Sequence, residues 1–535
     1  MLGNRDRYGG SAEITGPLGA GFAARGGLFY ETQDGFRVNA ASETLIADAG
    51  LSFDFGPGRV ILQGTRYDQN LDGNRLRGVP ADDEGNFLTS IRWNHNEPTD
   101  YLNLRSDVAQ ARVEAEPLAG VTFDATLRYN DPLEEQQYHE PRGLFDSDGD
   151  GAVDASIREF RDQKRWQESW SFGTNLVWAT DLSATVKNRV LVGYDWYQGD
   201  FTFDGRSLRG RTTATPGLPS PLSLFDPQYG VTDVANYALP PVTRTRSEQQ
   251  REGVYLLNEL TVGPLIGVVG IRHDSFEDVS GATRFSDGEE TLRAGLVWRV
   301  TPEVSLFGQY AQSFEPQDIG SQDPLAGGPF DPTAGDIFEG GVKTALFGGR
   351  LQSTVAAYRI RRTNILQSDP AGDPGNDGVD DLIAFGEITS KGFEIDLAAD
   401  ITPDWVATLG YGYNDTRITE DSGTGGGFSN NVGDRFANAP EHTLGFWTRY
   451  QFREPGIAVA LGGDYVSDRL SIEGQRVQPY MVFDASLIWE RGPWRALLRV
   501  DNLFDKTYAA SGFIARTGHF PGEPRSLFLE VTHRW

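Results

Sequence analysis

Residues 525–535 read Arg-Ser-Leu-Phe-Leu-Glu-Val-Thr-His-Arg-Trp. Leu527, Leu529, Val531, His533 and Trp535 fall on one face, and Glu530, Thr532 and Arg534 on the other. A period of two is that of a strand, whose successive side chains point to opposite sides. The same division recurs upstream. In 494–502 Trp494, Ala496, Leu498 and Val500 oppose Arg495, Arg499 and Asp501. In 457–465 Ile457, Val459, Leu461 and Tyr465 oppose Ala458, Ala460, Gly462 and Asp464. One face is apolar and the other is small or charged.

Such alternation suits a sandwich with its apolar side inward as well as a barrel with its apolar side outward. Connection lengths separate the two. Tight turns are predicted at Gly16-Pro17-Leu18-Gly19, Gly56-Pro57-Gly58, 117–120, 181–188, Gly263-Pro264, 301–303, Gly348-Gly349, Thr402-Pro403, 453–456 and 491–493. Between successive turns the pattern predicts a strand, a longer polar loop and another strand; 70–101, 132–163, 202–248 and 316–335 are examples of the loops. Short turns on one side and long loops on the other are the asymmetry of outer-membrane barrels. Counting along this pattern predicts about 21 strands, the last ending at Trp535 on the short-turn side. A closed single-chain barrel of the bacterial kind has an even number, so one more ascending strand is expected before Arg7, giving the 22-strand class whose lumen needs a plug. The expected fold is therefore all-β, a transmembrane antiparallel β-barrel over 1–535, with the first strand and an N-terminal plug expected to lie upstream of the sequence in hand.

Composition narrows the function. The 48 Lys and Arg against 76 Asp and Glu leave a net charge of −28, which argues against nucleic acid as a partner. With no cysteine there is no disulfide framework, thiolate metal site or cysteine nucleophile. Apolar runs such as Leu265–Ile271 are far shorter than the roughly 18 residues a spanning helix needs. The first twenty residues offer neither the charged start nor the apolar core of a secretory leader.

Asp336–Leu351 (DIFEGGVKTALFGGRL), followed by Tyr358 and Arg362-Thr363-Asn364-Ile365, resembles the mid-barrel signature of TonB-dependent ferric-siderophore receptors. Gly16-Pro17-Leu18 with Arg25 resembles the first periplasmic turn of that family, Ser390-Lys391-Gly392-Phe393-Glu394 a later strand, and Ala439-Pro440-Glu441-His442 with Trp447 and Tyr450 its late hairpin. The ending Asn502-Leu503-Phe504-Asp505-Lys506-Thr507-Tyr508, then Gly522-Glu523-Pro524-Arg525 and a terminal aromatic, is the most specific mark. The resemblance covers the whole chain in family order. It implies a monomeric barrel in the bacterial outer membrane, not an enzyme, that takes up a ferric siderophore or similar metal chelate. It also implies energy delivered by the TonB complex through a plug, and a terminal Trp535 read by the barrel-assembly machinery. Glu339, Lys343 and Arg525 are expected to face the lumen and pair there.

Ligand capture would rest on aromatic and cationic residues of the long loops: Trp93, Tyr101, Tyr138, Arg142, Tyr229, Tyr237 and Arg244, with Phe145 and Arg246. These types stack on catecholates or pair with the carboxylates of a chelate; the bland reading is an interfacial or loop-packing aromatic. Asp146, Asp148, Asp150 and Asp154, with Gly151 at position six, reproduce the start of an EF-hand loop, whose bidentate Glu is replaced by Ile157. They are a candidate for a structural Ca²⁺ on an external loop, against a solvated acidic turn; Asp369–Asp381 repeats the theme less well. Gly19-Ala20-Gly21-Phe22-Ala23-Ala24 matches a dinucleotide fingerprint but is followed by a strand instead of a helix. The six histidines, His95, His139, His273, His442, His519 and His533, show no zinc spacing, and no carboxylate pair stands out for glycoside hydrolysis. Two rival functions remain at this level: a plugless passive channel, and a soluble all-β carbohydrate-active or binding protein.

Overall fold

The computed structural model describes residues 1–231, 233–369, 372, 379–420 and 431–535. Apart from three short 3-10 turns, its regular structure is strand. Twenty-three strands belong to one sheet. One of them, Leu222–Ser223, is a loop segment laid against Ala155 and Ser156; the other 22 form the wall of a closed antiparallel barrel, each beside its neighbour in sequence. The 22-strand class expected from sequence is met, but the first strand, expected upstream of the sequence, is supplied within it: beside 21 longer strands stands the two-residue Leu2–Gly3. That short strand bridges the seam, pairing with Tyr8 on one side and with Leu529 and Phe528 on the other. Arg7 reinforces the closure, its guanidinium 4.6 Å from the Phe528 ring centroid and 3.0 Å from Glu31.

All the predicted turns fall at one end of the barrel, between strands such as Tyr8–Gly19 and Phe22–Asp34 or Tyr480–Arg491 and Trp494–Asp501. The opposite end differs from expectation at three places: in 202–248 the ladder runs on through Arg209 and resumes at Thr243, and two larger differences lie elsewhere. The polar stretch 132–163 is mostly ladder, since Val121–Phe145 and Ala155–Asp181 run for 25 and 27 residues and leave only 146–154 as loop. The connection at 281–282, between Leu265–Ser280 and Thr283–Thr301, is as tight as a turn of the other end. A strand needs ladder hydrogen bonds, not apolar side chains, so polarity alone did not mark its end. Cross-strand ion pairs such as Lys164–Glu135 and Arg165–Glu134 hold the polar ladder together. A membrane strand needs only about 9–11 residues, so the upper halves of these strands stand clear of the bilayer.

The two faces of the wall are chemically opposite. Leu62, Leu127, Leu176, Val192, Leu256, Val269, Leu296, Phe338 and Val355 are all exposed on the outer face. Trp178, Trp298, Trp405, Tyr450, Trp489 and Trp494 ring its turn end. Trp170 and Trp178 share the outer face of one strand; their eight-residue separation is roughly 27 Å along it, close to the apolar height of such barrels. The inner face carries networks: Arg272 grips Asp195 at 2.7 and 2.9 Å and Asp274 at 2.7 Å, while Tyr255 donates to Asn175 at 2.7 Å. Glu339 and Lys343 also face inward but do not pair with each other. Glu339 accepts from Gln309 at 2.7 Å and Lys343 lies 5.0 Å from the Phe307 ring centroid; Arg525 has no ion-pair partner among the described residues.

This arrangement places the apolar surface outside, which removes the soluble carbohydrate-protein reading. We expect Leu296→Arg, on the outer face, to cost about 2–4 kcal/mol, whereas Gln309→Arg on the inner face, beside Glu339, stays within about 0.5 kcal/mol. Denaturant unfolding from lipid vesicles measures both, and equal costs would show that the faces have been assigned wrongly.

Candidate functional site

Above the outer aromatic ring the inner wall forms a concave pocket of about 400 Å³. Two rows of cross-strand neighbours build it. One row joins Gln69, Leu104, Glu134, Arg165, Phe203 and Thr245. The row beneath contains Tyr67, Ser106 and Pro132, then Gln167, Phe201 and Ser247. Pro132 has no N–H to give the ladder, and the pairing with the next strand lapses there. The rings of Phe201 and Phe203 lie flat over Gly199 and Gly205, where an added Cβ would come within 2.9 and 2.5 Å of them. Glycine is required because only a bare backbone leaves room for a ring lying along the wall.

Arg165 caps this aromatic floor, its guanidinium 4.9 Å from the Phe203 centroid and ion-paired to Glu134. Gln136 donates to the same carboxylate at 2.7 Å, Gln167 donates to Tyr197 at 2.9 Å, and Tyr67 donates to Gln69 at 2.7 Å. The pocket thus offers ring faces, one compensated cation and several amide and hydroxyl groups. Its sequence signal is Gly199-Asp-Phe-Thr-Phe-Asp-Gly205, in which glycines and rings alternate on one face. None of the residues singled out from the sequence lines it.

Those residues lie elsewhere. Trp93, Tyr138 and Tyr237 are buried in a small core where the 73–100 and 210–242 loops fold onto the tips of the long hairpins. Trp93 packs with Leu222, Leu224 and Tyr229 and donates its indole N–H to the Ser223 carbonyl at 2.9 Å. Tyr229 donates to the Asn94 carbonyl at 2.9 Å. Tyr237 bonds His139 Nε2 at 2.9 Å, and His139 Nδ1 meets Asp100 at 2.8 Å. Arg142 is held by Glu159 at 2.6 Å; burial raises the Glu159 pKa, but Arg142 and Arg161 outweigh it and leave it lowered. Tyr101, half-buried, heads the strand Tyr101–Leu118. Arg244 pairs with Asp204 at 2.6 Å on the outer face, 5.4 Å from the Trp166 ring centroid. Trp93, Tyr138, Tyr229 and Tyr237 therefore pack the loop core, Tyr101, Arg142 and Arg244 stand on wall strands, and the seven do not meet around one cavity.

At the centre of the loop core Arg158 is 1% exposed and joins Glu97 at 2.7 Å, while its other N–H groups reach the carbonyls of Ser220 and His95 at 2.9 and 3.0 Å. Arg37 donates to the Trp93 and Arg77 carbonyls at 2.5 and 3.1 Å, and burial lowers its pKa to about 10. His95 is fully buried against the Trp93 ring, at 4.3 Å between centroids, with neither ring nitrogen hydrogen-bonded. Burial, reinforced by Arg37, Arg158 and Arg77, drives its pKa well below the ordinary value. On the loop 146–154, carboxylate oxygens of Asp146, Asp148 and Asp150 can lie within 4.8 Å of one another. Asp146 already accepts from the N–H groups of Gly149 and Gly151 at 2.6 and 2.7 Å, and Asp154 accepts from Ser147 at 2.8 Å. The second acidic stretch, Asp369–Asp381, lies largely outside the described residues.

Two predictions follow from this core. Because His95 has a lowered pKa, the unfolded loop takes up the proton first, so loop stability is complete above about pH 6.5 and falls as the pH drops below it. Protection of the amides at 88–97 and 220–230, measured relative to their intrinsic exchange rate at each pH, should fall between pH 7 and 5, and His95→Phe should flatten the response. Glu97→Ala leaves Arg158 buried and unpaired, which costs about 3–5 kcal/mol; the same exchange experiment should show it confined to the loops.

A family model described as TonB dependent receptor-like, beta-barrel, matches residues 23–503. The Metal-pseudopaline receptor CntO of Pseudomonas aeruginosa is 27% identical, over 99% of this chain and 74% of its own length. Among solved structures, the siderophore receptor PiuA from Acinetobacter baumannii superposes with a TM-score of 0.86 at 19% identity, over 100% of this chain and 80% of that one. The ferric-catecholate import receptor Fiu from Escherichia coli K12 gives 0.84 at 18% identity, over the same shares. With the match spanning nearly the whole closed wall, the chain belongs to the TonB-dependent receptor β-barrel family of the bacterial outer membrane.

Proposed function

We propose that this receptor takes up a metal chelate and that the pocket of Tyr67, Arg165, Phe201 and Phe203 is where the wall receives it. The observation that carries this reading is the pocket's position: it opens to the lumen just above the bilayer, between the loops and the channel below them. A ring of the chelate would stack on the Phe floor, and its polar groups would meet Arg165, Gln167 and Ser106. The one cation is balanced by Glu134, so a chelate that is neutral or carries both signs suits the pocket better than a polyanion. The metal-pseudopaline and siderophore receptors among its relatives support a chelate as cargo. Import makes and breaks no covalent bond in this reading; TonB supplies the work, and the closed wall supplies the passage.

Phe203→Ala should weaken chelate binding about three- to tenfold, the loss of one ring contact, with the wall intact. Arg165→Ala should shift preference among chelates of different charge. Titration of a panel of ferric and nickel chelates onto the receptor in nanodiscs reads both; unchanged affinities for every bound chelate would sink the assignment of the pocket.

The acidic loop carries a second proposal. Three hard carboxylates on an exposed loop suit a weak Ca²⁺ that stiffens it. Millimolar CaCl₂ should slow amide exchange across 146–154, and Asp148→Asn with Asp150→Asn should abolish that effect; equal slowing by both proteins would refute it.

A further inference from the structure

The loop core contains a buried cation that no carboxylate answers. Arg37 sits on the short loop 35–40 between Phe22–Asp34 and Ala41–Asp54 and is only 3% exposed. Its Nε and Nη1 donate to the carbonyls of Trp93 and Arg77, which ties 35–40 to 73–100 but leaves the charge itself unmatched. Among the described residues no carboxylate stands within ion-pairing distance of it, and its Nη2 meets no acceptor. The carboxylates of the core are committed elsewhere. Glu97 takes Arg158 and the Gly230 N–H, both at 2.7 Å, Asp100 takes His139 at 2.8 Å, and Glu140 takes Arg77 and Arg161, both at 2.8 Å.

A second group beside it also lacks a partner. The His95 ring packs on that of Trp93, the residue whose carbonyl Arg37 holds, and neither of its nitrogens is hydrogen-bonded. Of the charged groups around His95, Arg37 acts on it most strongly, ahead of Arg158, Arg77 and His139, so guanidinium and imidazole stand close together. A guanidinium can only donate, and a neutral imidazole donates from one of its nitrogens. Two donors and one unmatched positive charge call for an acceptor that is itself negative, because a lone buried charge is far more costly than a paired one. Water answers the donors but not the charge. The seclusion of both side chains sets the size: one small anion suits the place, whereas sulfate, phosphate or the carboxylate of a chelate would have to open the loops.

We propose that the loop core binds one halide ion, chloride under ordinary conditions, between Arg37 Nη2 and the ring of His95. The ion completes the charge balance of the core. Arg37 joins 35–40 to 73–100, and 73–100 in turn holds 210–242 through the bond from Tyr229 to the Asn94 carbonyl. The order of all three loops therefore depends on the halide. The site is separate from the wall pocket of Tyr67, Arg165, Phe201 and Phe203 and does not rest on chelate binding there.

The test uses the full chain in nanodiscs at fixed pH and ionic strength, with sodium chloride exchanged for sodium gluconate and amide protection read at 35–40 and 92–97. Protection should rise saturably with chloride, and at about ten times the half-effect concentration linkage sets the gain at about tenfold. Bromide should replace chloride, and sulfate should not. Arg37→Gln keeps a donor for the carbonyls and removes the charge, so its loops should be at least as protected in gluconate as those of wild type and should show no response to chloride. Crystals of the wild-type chain grown in sodium bromide give a readout that no variant's folding affects: an anomalous peak in contact with both Arg37 Nη2 and the His95 ring. Equal protection in gluconate and chloride overturns the proposal, as does equal protection by sulfate, which would mark a general salt effect. A chloride response in Arg37→Gln as large as that of wild type, or bromide crystals without the peak, overturns it as well.

Discussion

In hydrocarbon a backbone N–H or C=O without a partner costs several kcal/mol, and the whole molecule is arranged around that cost. A sheet can satisfy every strand only by meeting itself. Here the meeting is made by Leu2–Gly3, which takes Tyr8 on one side and Leu529 on the other. Asn4 adds a bond from its N–H to the Leu527 carbonyl at 3.0 Å and accepts from the Leu527 N–H through its side chain at the same distance. Once the ladder is closed, side-chain direction follows from the pleat, and a single alternation divides lipid from lumen over the entire circumference.

The same ladder explains why functional groups collect at one end. Where strands continue past the bilayer, the outer face no longer needs apolar residues, so ion pairs such as Arg66–Asp107 at 2.8 Å and Arg206–Asp162 at 2.7 Å replace them. The inner face at that height is then free to form a pocket, held by a rigid sheet whose positions are set by hydrogen bonds, with no need of loop conformation. The loops above are tied down separately. Their core is small, and its order comes from buried polar contacts, chiefly Arg158 with Glu97 and Asp100 with His139, which are stable only when every group is satisfied. His95, buried with unpaired nitrogens, is the weak member of that set.

The receptor therefore presents three different surfaces from one repeated pattern: a lumen wall with compensated charge, a loop core with buried charge, and an apolar outer wall. The physical distinction among them is the solvent each faces. Water screens the lumen networks, protein must pair the buried ones, and hydrocarbon admits only the apolar side chains of the last.

Much of this was legible in the residues. Alternation in Arg525–Trp535 and its counterparts, with short turns sorted to one end, determined an all-β barrel of the 22-strand class, because a strand's two faces are written in its own sequence with a period of two. Which loop aromatics would gather was not legible. Trp93, Tyr138 and Tyr237 looked like ligand contacts and proved to be packed beneath loops, since burial there depends on how 73–100 and 210–242 fold over distant hairpin tips. The Phe201–Phe203 pocket arises from register between strands, and register is a relation between segments that no segment contains. The sequence by itself determined the wall and its two faces; only the tertiary structure decided which side chains stand beside one another on them, because neighbours across a ladder are chosen by closure of the whole sheet.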